Sequence, residues 1–360
     1  MPANLRLRVA AEGPADFRTI GEALAAAGGF GGRAPAGRAT IAVGPGVYFE
    51  KLTVWRPDVT IVGEGPDATI IRFNDCAMRP LPSGEPMRTF NSATLYVGAP
   101  GFTAENLRVE NCAGDGRVVG QAVALYVDAD RAAFRGCRFL ARQDTICLGP
   151  LPSNPLPKGL NPTHPVHVAA PGDERAPFRN YFADCQVEGD IDFIFGSAAA
   201  VFERCEIVSL DRGEAVNGYV TAPSTLPGQR HGFVFLNCSL KGRCADSSVF
   251  LGRPWRPSAK AAFIGCELGA HIAGAGWDNW DNPANEGTAE FCEFGNSGPG
   301  SAGSGSAGSE AAGSAAIGSG AASPRVPWAK MLSRAEAARF SRENVLSGDD
   351  GWAPWTSVAD

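Results

Sequence analysis

Phe182-Ala-Asp-Cys185 is one copy of the short phrase that decides the fold of this 360-residue chain. In each copy an aromatic residue is followed three positions later by cysteine. The phenylalanines are separated by 48, 20, 33 and 28 residues, and we interpret the first step as two steps of about 24. Repetition at intervals of 20–50 residues is typical of solenoids and repeat arrays. The five copies are Phe134–Cys137, Phe182–Cys185, Phe202–Cys205, Phe235–Cys238 and Phe263–Cys266.

The cysteines of this phrase suit the interior of a solenoid. A free cysteine packs as a small hydrophobic side chain, so we expect the thiols to point inward and stack from rung to rung. Short apolar runs such as Leu52-Thr-Val54 and Val59-Thr-Ile-Val62 are split by Gly, Pro or Asp. They are too short for helices and indicate the strands of successive coils. The sequence therefore predicts an all-β chain in which parallel strands form a β-solenoid, rather than an alternating βαβ sheet.

Both ends of the solenoid need a cover, because an open end would expose the core. Residues 16–27 place Phe17, Ile20 and Leu24 at helical spacing, which predicts an N-terminal helix with Asp16 as its N-cap. Near the other end, residues 333–340 predict a helix opened by a capping box between Ser333 and Glu336.

Two stretches interrupt the strand pattern. Residues 148–177 carry eight prolines and must loop out of the rungs as an insertion. Residues 297–323 are dominated by Gly, Ser and Ala, a composition typical of a flexible linker before a tail at 324–360. We interpret the whole chain, 1–360, as a single domain that contains both stretches.

Asp192 stands out because it lies among Ile191, Phe193, Ile194 and Phe195, a run that predicts a buried strand. A buried carboxylate is costly without a cation or a hydrogen-bond donor. Candidate partners come from the stretches Ala141-Arg-Gln-Asp-Thr-Ile146 and Leu251-Gly-Arg-Pro-Trp255. The pattern fits two carboxylates and a guanidinium in one cleft, and equally a structural Asp–Arg bridge without catalysis.

Composition excludes several classes of function. A net charge of −6 disfavours nucleic acid as a partner. The sequence contains no run of 18 apolar residues, so we expect no membrane-spanning helix. Four histidines and the absence of a Cys-x-x-Cys motif disfavour a metal site, so we expect no cofactor. The first eleven residues have no apolar signal-peptide core, so we expect an intracellular protein or one whose leader is missing. A Ser-His-Asp hydrolase is disfavoured because no Gly-x-Ser-x-Gly motif occurs.

Five motifs follow one another along the chain, namely Gly46-Val-Tyr-Phe-Glu50, Gln121-Ala-Val-Ala-Leu125, Gln143-Asp-Thr145, Asp192-Phe-Ile-Phe-Gly196 and Leu251-Gly-Arg-Pro-Trp255. In this order they resemble the motifs of pectin methylesterases, the pectinesterases of carbohydrate esterase family 8. The resemblance runs from Asp16 to Trp328 and implies a right-handed parallel β-helix. The insertion, the linker and the missing leader are departures from the family pattern.

The resemblance implies a mechanism for hydrolysing the C6 methyl esters of galacturonate units. Asp192 is the nucleophile, and Gln121 and Gln143 donate hydrogen bonds to the oxyanion. Asp144 protonates the departing methanol and then activates water, while Arg253 holds Asp192 ionised. The implied partner is methylesterified pectin or an oligogalacturonide, acted on by a monomer.

Three aromatic residues are candidates for stacking on sugar rings, namely Trp255, Phe195 and Tyr126. Each could instead be part of the packed core, and Gln121 could be an amide stacked between rungs. A glycosidase of the same fold would also use carboxylates. An acyl thioester hydrolase of this fold and a carbohydrate-binding solenoid without catalysis remain alternatives. We further expect the insertion, with His164 and His167, to form a wall of the cleft and to favour short methylated oligogalacturonides.

Overall fold

The computed structural model describes residues 4–28, 37–153, 157, 165–169, 177–302 and 324–356. Almost all regular structure in these residues is strand, and the few helices are short. Within the described part, no helix is long and apolar enough to cross a membrane. In chain order the helices and strands are β1 (Leu5–Val9), α1 (Ile20–Ala27), β2 (Ala39–Val43), β3 (Gly46–Phe49), β4 (Leu52–Val54), β5 (Val59–Val62), β6 (Thr69–Phe73), β7 (Leu95–Val97), β8 (Thr103–Glu105), β9 (Arg108–Asn111), α2 (Gly116–Val119), β10 (Leu125–Val127), β11 (Ala132–Arg135), β12 (Arg138–Leu140), β13 (Ile146–Leu148), β14 (Leu151–Pro152), β15 (Val168–Ala169), β16 (Arg179–Ala183), β17 (Gln186–Gly189), β18 (Ile191–Gly196), β19 (Ala199–Glu203), β20 (Glu206–Ser209), β21 (Gly218–Pro223), β22 (Phe233–Leu236), β23 (Ser239–Gly242), β24 (Val249–Gly252), β25 (Lys260–Ile264), β26 (Glu267–Leu268), β27 (Glu290–Phe294), β28 (Lys330–Met331), α3 (Arg334–Ala337) and α4 (Arg342–Leu346).

These strands form three long parallel sheets that the chain visits in turn. Sheet A has the order β1-β2-β5-β8-β11-β16-β19-β22-β25-β27-β28. Sheet B has the order β26-β23-β20-β17-β12-β9-β6-β3, and sheet C has the order β24-β21-β18-β13-β10-β7-β4. Most rungs contribute one strand to each sheet, so the architecture is the parallel β-solenoid that the short apolar runs predict.

The recurring phrase makes the turn from sheet A to sheet B. In its first copy Phe134 lies at the end of β11, Gly136 has a φ of 58°, and Cys137 precedes β12. A left-handed residue turns the chain sharply, and Gly, Asn and Asp adopt this conformation most easily. The phrase recurs because every such rung makes this turn once. The equivalent residues of the other copies have φ values of 53–65° and are Asp184, Arg204, Asn237 and Gly265.

Inside the solenoid the five phenylalanines of the phrase form a continuous stack. Successive ring centroids are 4.6, 4.5, 4.8 and 4.3 Å apart, and the planes differ by at most 12°. The five cysteines are free and buried beside them, as predicted. Each stacked aromatic pair contributes about 0.5–1.5 kcal/mol beyond the burial of its surface.

The 48-residue step from Phe134 to Phe182 is one rung, so its interpretation as two steps is wrong. The two residues are direct partners on the neighbouring strands β11 and β16. The additional length lies in the proline-rich segment that leaves the solenoid after β13 and returns before β16.

The predicted N-terminal helix is present but begins later, at Ile20, and Asp16 is not its cap. Thr19 is the N-cap, in a capping box with Glu22. The carboxylate of Asp16 instead accepts a hydrogen bond from the backbone nitrogen of Arg8 at 2.8 Å. Helix α1 contacts β1, β2 and β4 and so covers the end of the solenoid.

At the other end, Ser333 and Glu336 form the predicted capping box, but the helix ends at Ala337 and a second helix, α4, follows. This tail packs on the outer face of sheet A through Phe340, Val345 and Leu346. Residues 297–302 of the predicted linker lie against β26, and residues 303–323 are outside the described part.

The described part of the insertion is attached to sheet C. Strands β14 and β15 pair in parallel. The buried carboxylate of Asp128 accepts hydrogen bonds from the backbone nitrogen of His167 at 2.6 Å and from the hydroxyl of Tyr96 at 2.8 Å. The hydrogen bond with Asp128 raises the pKa of the His167 side chain. His164 lies outside the described residues.

Candidate active site

A cleft of about 760 Å³ lies over sheet C. Consecutive rungs contribute its floor, because Gln121 precedes β10, Gln143 and Asp144 precede β13, and Asp192 lies in β18. Arg253 follows β24 and completes the floor from the far side of β21. Four separate sequence motifs therefore meet because parallel strands stack in register.

A β-bulge directs Asp192 into this cleft. The register of β18 against β21 shifts between Ile191 and Ile194, and Asp192 has a φ of 49°. Phe193 and Ile194, although adjacent, both pack in the interior of the solenoid. With strict alternation back from Ile194, Asp192 would point into the core. The extra residue reverses its direction, which is a common use of bulges at functional sites.

The carboxylate of Asp192 is held by both arms of the Arg253 guanidinium. Nε donates to Oδ1 at 2.9 Å and Nη2 donates to Oδ2 at 2.7 Å. Asp192 is only 8% exposed, and this burial raises the pKa of its carboxyl group, while the bonds from Arg253 oppose the rise. The bidentate pair therefore favours an ionised carboxylate in a site that otherwise penalises charge.

Asp144 lies beside this pair and is in a different electrostatic state. Its backbone nitrogen donates to the carbonyl oxygen of Ile191 at 3.1 Å, and its φ is 66°. Desolvation by the surrounding protein raises the pKa of the Asp144 carboxyl group well above its ordinary value, and the negative charge of Asp192 raises it further. Two carboxyl groups with different protonation tendencies are what an acid and a nucleophile require.

A buried ion pair connects the two rungs that carry these aspartates. Nε of Arg142 is 3.2 Å from Oδ2 of Asp190, which is 1% exposed. Oδ1 of Asp190 accepts a hydrogen bond from the backbone nitrogen of Ile191 at 2.7 Å, next to the bulge. Among the described residues, no group of three or more His, Cys, Asp or Glu side chains is arranged to hold a metal ion.

A model of the Pectinesterase family matches residues 6–148 and 176–308, which is more than half of the chain. Pectinesterase 31 of Arabidopsis thaliana is 30% identical over 99% of this chain and 96% of its own length. Probable pectinesterase 8 of the same plant is 30% identical over 97% of this chain and 75% of its own length.

The chain belongs to the pectinesterase family. It is therefore a carboxylic ester hydrolase. The interval that the family model leaves out, 149–175, falls inside the proline-rich insertion of this pectinesterase.

Solved structures agree with this assignment. Pectin methylesterase PemA from Erwinia chrysanthemi has 26% identity and a TM-score of 0.72, over 97% of this chain and 98% of its own. Pectin methylesterase from carrot has 28% identity and a TM-score of 0.70, over 96% and 94% of the two chains. A crystal structure of a pectin methylesterase in complex with a hexasaccharide has a TM-score of 0.71. The predicted fold class, a right-handed parallel β-helix, is confirmed.

Seven of the eight predicted site residues of this pectinesterase line the same cleft over sheet C. Trp255 and Phe195 meet there in a T-shaped contact with centroids 5.9 Å apart. The seven residues are Gln121, Gln143, Asp144, Asp192, Phe195, Arg253 and Trp255.

Tyr126 is the exception, and the expectation that it presents a face to sugar is not supported. Its side chain is 0% exposed and packs edge-on against Tyr96, with centroids 5.1 Å apart. Phe90 lies 6.1 Å from it and lines the cleft. Tyr126 therefore supports the cleft from beneath.

Sequence reasoning missed several residues around Arg253 and Trp255. Tyr219 and Trp280 lie on the two sides of the Arg253 guanidinium, and Arg256 lies over the ring of Trp255 at 4.8 Å. Trp280 ends the stretch Gly276-Trp-Asp-Asn-Trp280, which lies within the range over which the resemblance runs, so its position was the available signal. Tyr219 is one residue of an ordinary apolar strand and gives no such signal.

Proposed function

We propose that this pectinesterase hydrolyses C6 methyl esters of galacturonate units in pectin or oligogalacturonides, through an acyl-enzyme on Asp192. The observation that carries the proposal is the bidentate Arg253–Asp192 pair on the cleft floor, beside a carboxyl group of raised pKa on Asp144. A nucleophilic carboxylate must be ionised and aimed, and this pair supplies both conditions.

In the first step an oxygen of Asp192 attacks the ester carbonyl carbon. The carbonyl oxygen gains negative charge, and the amides of Gln121 and Gln143 are the donors that would stabilise it. The bond to the methoxy group breaks, and Asp144 gives its proton to the departing methanol. The raised pKa of Asp144 fits an acid that is protonated before the reaction.

In the second step the roles reverse. Asp144, now a carboxylate, takes a proton from a water molecule, which attacks the carbonyl carbon of the mixed anhydride. The bond to Asp192 breaks, and the nucleophile returns to its ionised pair with Arg253. The ester and one water molecule are consumed, and the products are methanol, a free galacturonate carboxylate and a proton.

The aromatic lining of the cleft supports a polymer of sugar rings as substrate. Trp255, Phe195 and Phe90 offer flat apolar faces near the reacting groups. Pro157, from the proline-rich insertion, also lies in the lining. We therefore propose that the insertion narrows the cleft and favours short methylated oligogalacturonides, and that the enzyme acts as a monomer.

The test of the mechanism is methanol release from methylated pectin, with acyl-CoA hydrolysis measured in parallel. Asp192→Asn should abolish turnover, and Asp144→Asn should reduce it about 10²–10⁴-fold because proton transfer is lost. Asp184→Asn is a matched control, because Asp184 also has a positive φ but lies at an exposed turn, paired with Arg204. Near wild-type kcat in either cleft variant contradicts the assigned roles, and acyl-CoA activity without methanol release favours the thioester alternative.

The insertion is tested by replacing residues 154–164 with a short Gly-Ser turn, which retains β14 and β15. The ratio of kcat/KM on trimers or tetramers to that on long pectin should fall. An unchanged ratio means that the insertion does not select substrates. Light scattering at assay concentration tests the monomer, and a dimer mass would overturn it.

A further inference from the structure

The guanidinium group of Arg253 lies between two aromatic rings. Its central carbon is 3.8 Å from the ring centroid of Tyr219 and 3.9 Å from that of Trp280. The same group donates both hydrogen bonds to Asp192. An arginine that contacts two aromatic rings and donates two parallel hydrogen bonds has little freedom to turn.

The ring of Tyr219 is held by the solenoid itself. Tyr219 pairs in register with Ile191 on β18 and with Phe250 on β24. Its ring stacks on that of Phe250 with centroids 5.5 Å apart and planes 18° apart. Tyr219 is not among the residues that line the cleft, and its ring contacts Arg253, which is.

The ring of Trp280 is held by a structured turn. Its backbone has a φ of 60°, and its nitrogen donates to Oδ1 of Asp278 at 2.7 Å. The side-chain amide of Asn285 donates to the carbonyl oxygen of Asn279 at 3.0 Å and closes the same turn. A tryptophan in this sparsely populated conformation is present because the surrounding contacts impose it.

We propose that Tyr219 and Trp280 are positioning residues that clamp Arg253 in the orientation that aims Asp192 at the ester carbon. This inference rests on the proposed roles of Asp192 and Arg253. Without one ring, the guanidinium could rotate out of the plane of the carboxylate and hold it by a single bond. The reactive oxygen would then sample directions that do not lead to attack, and small displacements of reacting groups are costly.

The experiment compares Tyr219→Leu with Tyr219→Phe, because only the second keeps the ring face against Arg253. Tyr219→Leu should lower kcat roughly three- to thirtyfold with little change in KM. Tyr219→Phe should recover most of that loss. Trp352→Leu is the matched control, since Trp352 contacts Arg179 in the same way, 5.5 Å from the ring centroid, on the outer face of the molecule. It should leave kcat unchanged.

Two further readouts separate positioning from a general loss of structure. The acid limb of the pH profile should move to higher pH in Tyr219→Leu, because a loosened Arg253 no longer lowers the pKa of Asp192 against its burial and the charge of Asp278. In an Arg253→Lys background, which already lacks the planar group, Tyr219→Leu should cost little more.

Trp280 also lines the cleft, so Trp280→Leu is expected to change both kcat and KM, and Tyr219 carries the decisive result. Equal kcat for Tyr219→Leu and wild type, or a loss that is fully additive with Arg253→Lys, overturns the clamp. If Asp192→Asn keeps its activity, the proposed mechanism itself fails. If Asp192→Asn is inactive and Tyr219→Leu matches wild type, only the clamp fails.

Discussion

Replacing Arg253 tests the electrostatic basis of the site most directly. Arg253→Ala removes two hydrogen bonds of 2.9 and 2.7 Å from Asp192 and leaves a carboxylate that is only 8% exposed. Arg253→Lys restores the charge but not the planar fork that reaches both oxygens. The two variants therefore separate the need for a cation from the need for a particular geometry.

The expected size of the effect follows from burial. Removing one partner of a buried, hydrogen-bonded ion pair costs roughly 3–5 kcal/mol. If that cost appears in the transition state, kcat/KM falls about 10²–10⁴-fold for Arg253→Ala. Part of the cost can instead appear as protonation of Asp192, since Arg253 is the group that lowers its pKa against burial. In the proposed mechanism Asp192 reacts in its ionised form, above its pKa, so the acid limb of the pH profile should move to higher pH.

The assay is methanol release from methylated pectin between pH 5 and 9, with calorimetry to verify that each variant folds. Arg253→Ala should lose the most activity near pH 5 and regain part of it at alkaline pH. Arg253→Lys should lie between the Ala variant and wild type at every pH. Wild-type kcat/KM in the Lys variant would reduce Arg253 to a simple counter-charge, and a loss below tenfold in the Ala variant would refute the reasoning.

Three further predictions concern stability. Phe202→Ala should lower the free energy of unfolding, measured in urea, by about 3–5 kcal/mol because the ring is fully buried between two stacked neighbours. The control is Phe49→Ala, where the side chain is 56% exposed and the loss should be less than about 1 kcal/mol. Replacing residues 303–323 with a short Gly-Ser link should leave activity and melting temperature nearly unchanged, because Arg325 already donates a 2.8 Å hydrogen bond to the carbonyl oxygen of Gly300, before the replaced segment. A large drop in melting temperature would contradict this expectation. Burial lowers the pKa of His271 to about 4, so the stability that the neutral side chain contributes is complete above pH 6.5 and is lost as the pH falls toward 4. Between pH 7 and pH 5 the free energy of unfolding of the wild type should fall by about 2 kcal/mol more than that of His271→Gln. Equal losses in the two proteins would contradict the buried neutral state.

The fold was predictable because its turn chemistry repeats. Each copy of the phrase contains a buried ring, a left-handed turn residue and a buried thiol, and these requirements recur in five rungs. The 48-residue step was not predictable, because an insertion between rungs changes the spacing without changing the register of Phe134 and Phe182. The prediction of Asp16 as the helix N-cap was wrong because it also considered only the local sequence. Asp16 has the right residue type, but its partner, the backbone nitrogen of Arg8, belongs to β1.

The residues that line the cleft were predictable where a motif fixes both the residue and its rung. Tyr126 shows the limit of that reasoning. It occupies the same outward column of sheet C as Phe195, since both pair in register with Cys147 on β13. Both rings belong to one apolar cluster, but Phe195 is in the cleft lining, whereas Tyr126 is covered by Phe90 and its neighbours. The register gives the direction of a side chain, and the loops that cover it are set by contacts between distant parts of the chain.

The direction of Asp192 depends on contacts of the same non-local kind. Read as a regular strand, residues 191–196 would place either Ile194 or the pair Asp192 and Phe193 on the wrong side of sheet C. The bulge satisfies both, because it puts Phe193 and Ile194 into the core together and turns Asp192 outward. Gly189 permits the conformation, since a Cβ there would collide with Phe193. Two buried hydrophobic contacts thus support a backbone conformation that would otherwise be unfavourable, and the energy of the core is used to direct Asp192, the proposed nucleophile, into the cleft.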